Sequence, residues 1–389
     1  MRIAETVWRG FRNLKPCRLS WHSGLNVILG MNGAGKTNLL EALAVLCGWG
    51  AFEGNRTSSL VTWPDGQDSQ ETEITDSTEI SGSKNPTGTF LLARAEGERK
   101  VEVRASISSR ISFSVEGERA TYSSLRALLP AFVFLPRDIG LLDGSPSLRR
   151  LFLDRLCALL SPLYARRLAE YRKILRQRSA LLRSPCPAPS ALEATALPLV
   201  RFGGWIRVVR WKTAAALKEA FALQDFGLLP RGLKLDLDHR GSTRTFDPSD
   251  PADAAAGLAA DLRENFERER RAGIPLMGPH RDDLLFSCFG RPASQSLSRG
   301  QKRRTVAASV LAAGQVIHSR MRVTPILLLD DIAAELDGEG RRLMGQALTG
   351  SGWQVFVTAA SADAEENPFS NETGNVALLR EGEVLHNVR

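Results

Sequence analysis

Residues Gly30 to Thr37 read GMNGAGKT and follow the order G-x-x-x-x-G-K-T. Each residue type has a task there. Gly33 and Gly35 let backbone N–H groups face phosphate oxygens, Lys36 reaches the β- and γ-phosphates of a nucleoside triphosphate, and Thr37 offers a hydroxyl to Mg²⁺. The start of a helix adds its positive end. Gly30, Asn32, Gly33, Ala34, Gly35, Lys36, Thr37 and Asn38 form the candidate nucleotide-binding segment, with ATP and Mg²⁺ as the expected cofactors. A second stretch, PILLLDD at 325–331, is an apolar run ending in two carboxylates. Asp330 is the expected partner of the metal, and Asp331 is placed to polarise an attacking water. The alternative for Asp331 is that it caps the next helix, since aspartate is a good N-cap. Lys36 and Asp331 are the candidate catalytic residues, and Thr37 and Asp330 the candidate metal ligands. A third stretch, SLSRGQKRR at 296–304, reads as a helix start with a hydroxyl, a glycine and many bases. Such a terminus is a ready anion site. The alternative is a solvent-facing helix capped by Ser298.

These residues need elements to hold them. The run LNVILG before the phosphate loop reads as a strand, and NLLEALAVLC at 38–47 has helical apolar spacing, the context that makes the loop motif specific. A plain glycine turn before a helix is the competing reading. Strand-like alternation appears in KVEVRASI and RISFSVEGE. Ser145-Pro146 and Ser161-Pro162 each set a capping hydroxyl before a proline, so helices are expected near 146–160 and 162–183. SPCPAPS at 184–190 breaks the pattern, and helix resumes through GWIRVVRWKTAAALKEAFAL. A strand LKLDLD and one charged helix, LAADLRENFERERR, lead to GPHRDDLLF. From 297 the expected order is helix, strand 325–329, helix, strand 353–358 and a last hairpin. Thr37 and Asp330 lie roughly 290 residues apart in the numbering. One nucleotide-binding core is thus expected to be split by a large insert, giving segments 1–135, 136–275 and 276–389.

The bulk numbers set limits. The chain has 389 residues, 43% hydrophobic and 24% charged, as in an ordinary soluble protein. Five scattered cysteines form no C-x-x-C pair, which argues against a disulfide framework or a zinc site and fits a reducing, cytoplasmic setting. No apolar run reaches membrane-spanning length. Net charge is +8, and residues 149–183 hold ten bases and two acids, so that segment carries the whole excess. Arg166, Arg167, Lys173, Arg176, Arg178 and Arg183 have no sufficient acidic neighbours in the sequence. A phosphate-tracking DNA surface is the functional reading. A solvated helical hairpin, or a site for an acidic protein, is the alternative. Residues 65–79 carry six acids and no base, and 64–88 read as a mobile surface loop.

LSRGQ at 297–301 resembles the signature of ABC-type ATPases. The resemblance implies that Ser298 and Gly300, at a helix N-terminus, meet the γ-phosphate held by a second subunit. FRNL (11–14), GLNVILGMNGAGKTNLLEAL (24–43), GSPSLRRLFLDRL (144–156), GPHRDDLLF (278–286) and LLLDDIAAELD (327–337) together resemble the RecF family of the SMC-like ATPases, from residue 2 to about 360. The fold implied is an α/β ATPase head, a mixed sheet with a phosphate-loop core, split by a mainly helical lobe. The activity implied is weak, DNA-stimulated ATP hydrolysis used as a switch. An ATP-dependent homodimer would bind double-stranded or gapped DNA, act in recombinational repair and replication restart with RecO- and RecR-type mediators, and load RecA. The resemblance also sets Arg12 near the nucleotide. Arg137 departs from the family, which usually has an acid there. No histidine directly follows the strand that ends at Thr358, and with the long basic insert this argues against the main alternative, the nucleotide-binding subunit of a membrane transporter. An ATPase-linked nuclease would need a further carboxylate domain, and a purely structural tether would need long heptads. His280 and Arg281 either line the nucleotide region or shape a turn.

Overall fold

A computed structural model describes residues 1–52, 57–61, 89–184, 189–223, 227–238, 245–247, 249–361, 367–369 and 374–388. The acidic stretch 65–79 and the loop expected over 64–88 lie outside the described residues, as does most of SPCPAPS. The N-terminal elements are β1 (Arg2–Arg9), β2 (Cys17–Ser20), β3 (Leu25–Gly30), α1 (Lys36–Leu46), β4 (Thr89–Glu96), β5 (Lys100–Ile107), β6 (Ile111–Val115), β7 (Glu118–Ala120) and α2 (Tyr122–Leu128). Next come β8 (Ala131–Phe134), α3 (Pro146–Leu160), α4 (Tyr164–Leu182), α5 (Pro189–Leu223), β9 (Leu233–Asp238), α6 (Pro251–Glu264) and α7 (Phe266–Ala272). The chain continues through β10 (Asp283–Cys288), β11 (Arg291–Pro292), α8 (Ala293–Ser296), α9 (Arg299–Met321) and β12 (Ile326–Leu329). It ends with α10 (Gly338–Gly350), β13 (Gln354–Ala360), β14 (Gly374–Arg380) and β15 (Glu383–Val388). Two compact units result, one of residues 1–129, 328–330 and 353–389, the other of 130–327 and 331–352. Helix α9 packs on α5 within the second unit.

In the first unit, β2-β1-β4-β5-β6-β7 form an antiparallel sheet, and β15-β14-β3-β13 run side by side in a mixed one. There β3 is parallel to both β13 and β14, while β14 and β15 make the expected hairpin. Helix α1 packs on β3 and β13 and also on β4 and β5. That double contact explains its composition: Leu39, Leu40, Ala42, Leu43, Ala44, Val45 and Leu46 are all buried, as in a helix apolar on every side. The lone acid on it, Glu41, is buried too.

The second unit is built on α5, which packs on α3, α4, α6 and α9. At 35 residues it is far longer than the stretch 204–223 read from sequence, because it starts at Pro189 and runs through Pro198. The single charged helix expected over 258–271 is two, broken at Asn265, whose side chain turns back to the Asp261 carbonyl. Ser145 and Ser161 do not cap as expected. The Ser145 hydroxyl meets Ser147 Oγ at 2.6 Å, and α4 begins only at Tyr164, after Leu163. Strands β11-β10-β9 make a small antiparallel sheet. Among the described residues, no helix is long and apolar enough to cross a membrane.

Candidate nucleotide site and basic surface

Parallel pairing of β3 with β13 and β14 runs to Gly30, which lies opposite Ala360 and Leu379. The phosphate loop therefore leaves the carboxyl ends of parallel strands, where open α/β sheets hold their ligands. Gly33 and Gly35 take φ angles of 83° and 103°. The left-handed backbone angle calls for glycine at position 35, where a Cβ would also stand a tight 3.1 Å from Asn13 Oδ1 and Leu14 Cδ2. Lys36 curls over the loop and donates to the carbonyls of Gly30 (2.8 Å) and Met31 (3.0 Å). Asn32 and Gly33 are exposed at the crest, and Ala34 is buried beneath it.

Thr37 Oγ1 donates to Asp330 Oδ2 at 2.9 Å, and Thr358 Oγ1 donates to Asp330 Oδ1 at 2.7 Å. Asp330 is buried, and burial raises its pKa above the ordinary carboxylate value, while the bonds from Thr358 and Thr37 and the charge of Lys36 pull it down. A buried carboxylate beside a hydroxyl is a hard-oxygen pair that suits Mg²⁺. Among the described residues, no three His, Cys, Asp or Glu side chains gather to hold a metal by themselves. A cation here would complete its shell with phosphate oxygens and water.

Arg12 sits in the left-handed region at φ 48°, and its guanidinium pairs with Glu41 through Nε and through Nη2 at 3.1 Å. Glu41 also accepts from the Phe52 amide at 2.7 Å. Asn13 donates to the Gly33 carbonyl (3.3 Å) and accepts from Asn38 Nδ2 (2.6 Å). The turn of the last hairpin reaches the same place. The Gly382 N–H donates to the Ala34 carbonyl at 2.9 Å, and its own carbonyl accepts from the Lys15 amide at 2.9 Å. Sequence reasoning missed Asn13, Glu41 and Gly382. The signal for Glu41 was a single acid in an otherwise apolar helix.

The second unit holds the other predicted groups. Ser298 is the N-cap of α9 in a full capping box: its Oγ accepts from the Gln301 amide at 3.3 Å, and its own amide donates to Gln301 Oε1 at 2.9 Å. As an acceptor in the cap, the hydroxyl keeps its own hydrogen to donate, so capping and phosphate contact are compatible. Ser298, Arg299 and Gly300 are exposed, and a Cβ on Gly300 would meet nothing within 4 Å. Lys302, Arg303 and Arg304 pair with Asp143, Glu335, and Asp337 with Glu339, respectively. Asp331 has φ 53° and stands before the 3₁₀ turn Ile332–Glu335 without a side-chain capping bond, so the capping alternative does not describe it. A left-handed aspartate costs about 1 kcal/mol, a strain that gathers at functional positions.

The basic segment divides in two. Arg149 pairs with Asp283 (2.7 Å), Arg155 with Asp138 (2.5 Å) and Arg172 with Asp154 (3.3 Å). Arg178, expected to be unneutralised, is buried and pairs with Glu269 at 2.7 Å, a partner distant in sequence. Arg167 stacks over the Trp205 ring at 4.2 Å. Arg166, Lys173 and Arg176 are exposed on one face of α4 and make no ion pair among the described residues. His280 is half-buried against Tyr171, Nδ1 to Oη 2.7 Å, while Arg281 donates to the Pro275 carbonyl at 3.0 Å, so both shape the turn before β10. Arg137 is exposed, and its neighbour Asp138 accepts from the Leu135 amide at 2.8 Å.

Residues 2–378 match the family described as RecF/RecN/SMC N terminal domain. The chain is 34% identical to the DNA replication and repair protein RecF of Thioalkalivibrio sulfidiphilus over 358 residues, 91% of each chain. It is 29% identical to that of Bacillus cereus over 390 residues, covering 97% of this chain and 96% of the relative. Among solved structures it resembles the recombination mediator protein RecF in the RecFOR pathway, solved as RecF-ATPrS, with TM-score 0.80, 23% identity and coverage of 100% and 98%. It also resembles the Smc head bound to the C-winged helix domain of ScpA, with TM-score 0.52, 18% identity and coverage of 99% and 96%. The fold is that of a mixed α/β SMC- and RecF-like ATPase head with a helical insertion, and the chain belongs to the RecF/RecN/SMC N-terminal domain family.

Proposed function

We propose that this chain is an ATP-driven DNA-binding switch of the RecF kind, a cytoplasmic recombination mediator working at single-strand gaps with RecO- and RecR-type partners. The observation that carries the nucleotide half is the meeting of Thr37 and Thr358 on buried Asp330 at the foot of the phosphate loop. Lys36 and the loop amides hold the β- and γ-phosphates. Thr37 and Asp330 hold Mg²⁺, which supplies charge neutralisation on the phosphates when bound. Asp331 orients and polarises the attacking water. Ser298 and Gly300, exposed at the start of α9, meet the γ-phosphate of a second copy, so ATP makes a homodimer. Segments 1–135 and 276–389 act as the head, and 136–275 as the arm.

Arg166, Lys173 and Arg176 on α4, with Arg167 beside them, track the DNA backbone. An arm making three or four phosphate contacts gives a slope of log K against log salt of roughly −3 to −4, and two arms on one duplex steepen it to about twice that. The test is a salt titration of DNA affinity with and without a non-hydrolysable ATP analogue. Changing Arg166, Arg167, Lys173 and Arg176 to Gln should flatten the slope and weaken binding on unrelated sequences alike. Equal affinity of that variant and wild type in both conditions would move the DNA surface elsewhere and make the arm a protein-partner site.

A further inference from the structure

The basic run after the signature serine spends its charge inside its own chain. Arg303 Nη2 lies 2.5 Å from Glu335 Oε2. Arg304 Nη2 lies 2.6 Å from Asp337 Oδ2 and 2.7 Å from Glu339 Oε2, with Nε 3.1 Å from Asp337 Oδ1. The carboxylates belong to two consecutive pieces. Glu335 ends the 3₁₀ turn that begins just after Asp331, and Asp337 is the N-cap of α10, accepting from the Gly340 amide at 2.9 Å. Three acids within five residues repel one another, and cations placed among them offset that repulsion. Two adjacent arginines near the start of α9 supply them. The bidentate Arg304–Asp337 contact also fixes direction, as a planar fork on a carboxylate does. It holds the Asp337 carboxyl below its ordinary pKa, chiefly through Arg304.

We infer that Arg303 and Arg304 are positioning residues for hydrolysis: they tie the helix that begins at Ser298 to the turn that begins at Asp331, so that seating α9 on a partner's phosphate sets the Asp331 carboxylate of its own chain. This rests on the shared-site reading above. Asp331 suits such control. It occupies a left-handed conformation with no capping bond, and the turn on its C-terminal side is the one the two arginines clamp. The arginines touch neither phosphate nor water in this scheme; they act through the bend. A loop displaced by about 1 Å can cost a reaction about 100-fold.

The test compares wild type with Arg303→Gln/Arg304→Gln and with the swap Arg303→Glu/Glu335→Arg. Three measurements are made: ATP turnover with its KM, mass with and without a non-hydrolysable ATP analogue, and amide hydrogen exchange across 331–341 in the nucleotide-free protein. The double Gln variant should exchange faster at 332–339, keep its KM and ATP-dependent mass, and lose about 10- to 100-fold in kcat. The swap should recover most of the protection at 332–336. Unchanged exchange in the Gln variant overturns the clamp whatever the turnover. Faster exchange with unchanged kcat overturns its role in hydrolysis. Absence of ATP turnover in the wild type would instead overturn the underlying reading, and the exchange arm would still decide whether the arginines hold the turn.

Discussion

At the scale of single residues, the nucleotide chemistry is concentrated on a few side chains whose neighbours fix their state. Asp330 is held by two hydroxyls, from Thr37 and from Thr358. Thr37 and Asp330 were legible because each sits in a short local pattern. Thr358 was visible only as the polar end of an apolar strand, since nothing in a linear chain says which carboxylate it will meet. The same limit hid the partner of Arg178, which lies on another helix. Asp331 carries the sharpest residue-level prediction. On the proposed assignment of Asp331 as the base, Asp331→Asn should leave ATP binding in place while removing the group that would accept a proton from water. General-base loss costs about 10²- to 10⁴-fold, and single-turnover hydrolysis should fall within that range at unchanged nucleotide affinity. Normal hydrolysis by the variant would assign the base elsewhere.

At the scale of elements, strand and helix order came from periodicity, while lengths and breaks did not. Helix α5 runs through Pro198 because packing on α3, α4, α6 and α9 outweighs the local cost of a proline. The break at Asn265 depends on a side chain folding back on its own helix, which propensity cannot foresee. The last hairpin looked terminal in sequence, yet its turn is wedged against the nucleotide loop. Gly382 has φ 78°, and a Cβ there would fall 1.9 Å from the Asn13 carbonyl oxygen. Gly117 has φ 81° with nothing within 4 Å. Alanine at either site costs about 1–2 kcal/mol for its left-handed backbone. Only Gly382→Ala should also weaken ATP binding, because Asn13 and Ala34 must move. Equal ATP affinity of the two variants by titration calorimetry would remove the hairpin from the site. The turn before β10 gives a pH prediction. Burial foremost, with the charge of Arg281, lowers the His280 pKa from 6.5 to about 4. The histidine is neutral in the fold and gains its proton on unfolding, so its contribution declines as pH falls from about 6.5 to about 4, by about 3 kcal/mol in all. Denaturant titrations of wild type and His280→Gln at pH 7 and pH 4.5 should show the steeper loss in wild type. Parallel losses would mean that His280 does not stay neutral.

At the scale of the whole molecule, net charge concealed a division of labour. The excess of +8 falls on residues 149–183, but about half of the segment's arginines are structural, pairing with Asp283, Asp138, Asp154 and Glu269 or donating to the Asp282 carbonyl. What remains for a polyanion is the exposed face of α4. The count of bases was readable in sequence; their partners were not, because every one of those acceptors except Asp138 and Asp154 lies beyond residue 260. The proposed switch would depend above all on ATP joining two copies through the exposed start of α9. Light scattering of the protein with and without a non-hydrolysable ATP analogue measures it directly, with Ser298→Arg as the paired variant. Wild type should double its mass only with the analogue, and Ser298→Arg should bind the analogue with wild-type affinity yet stay monomeric, since bulk and positive charge there block the second copy. A wild-type protein that stays monomeric with nucleotide bound, or a Ser298→Arg dimer as tight as wild type, would contradict the shared site.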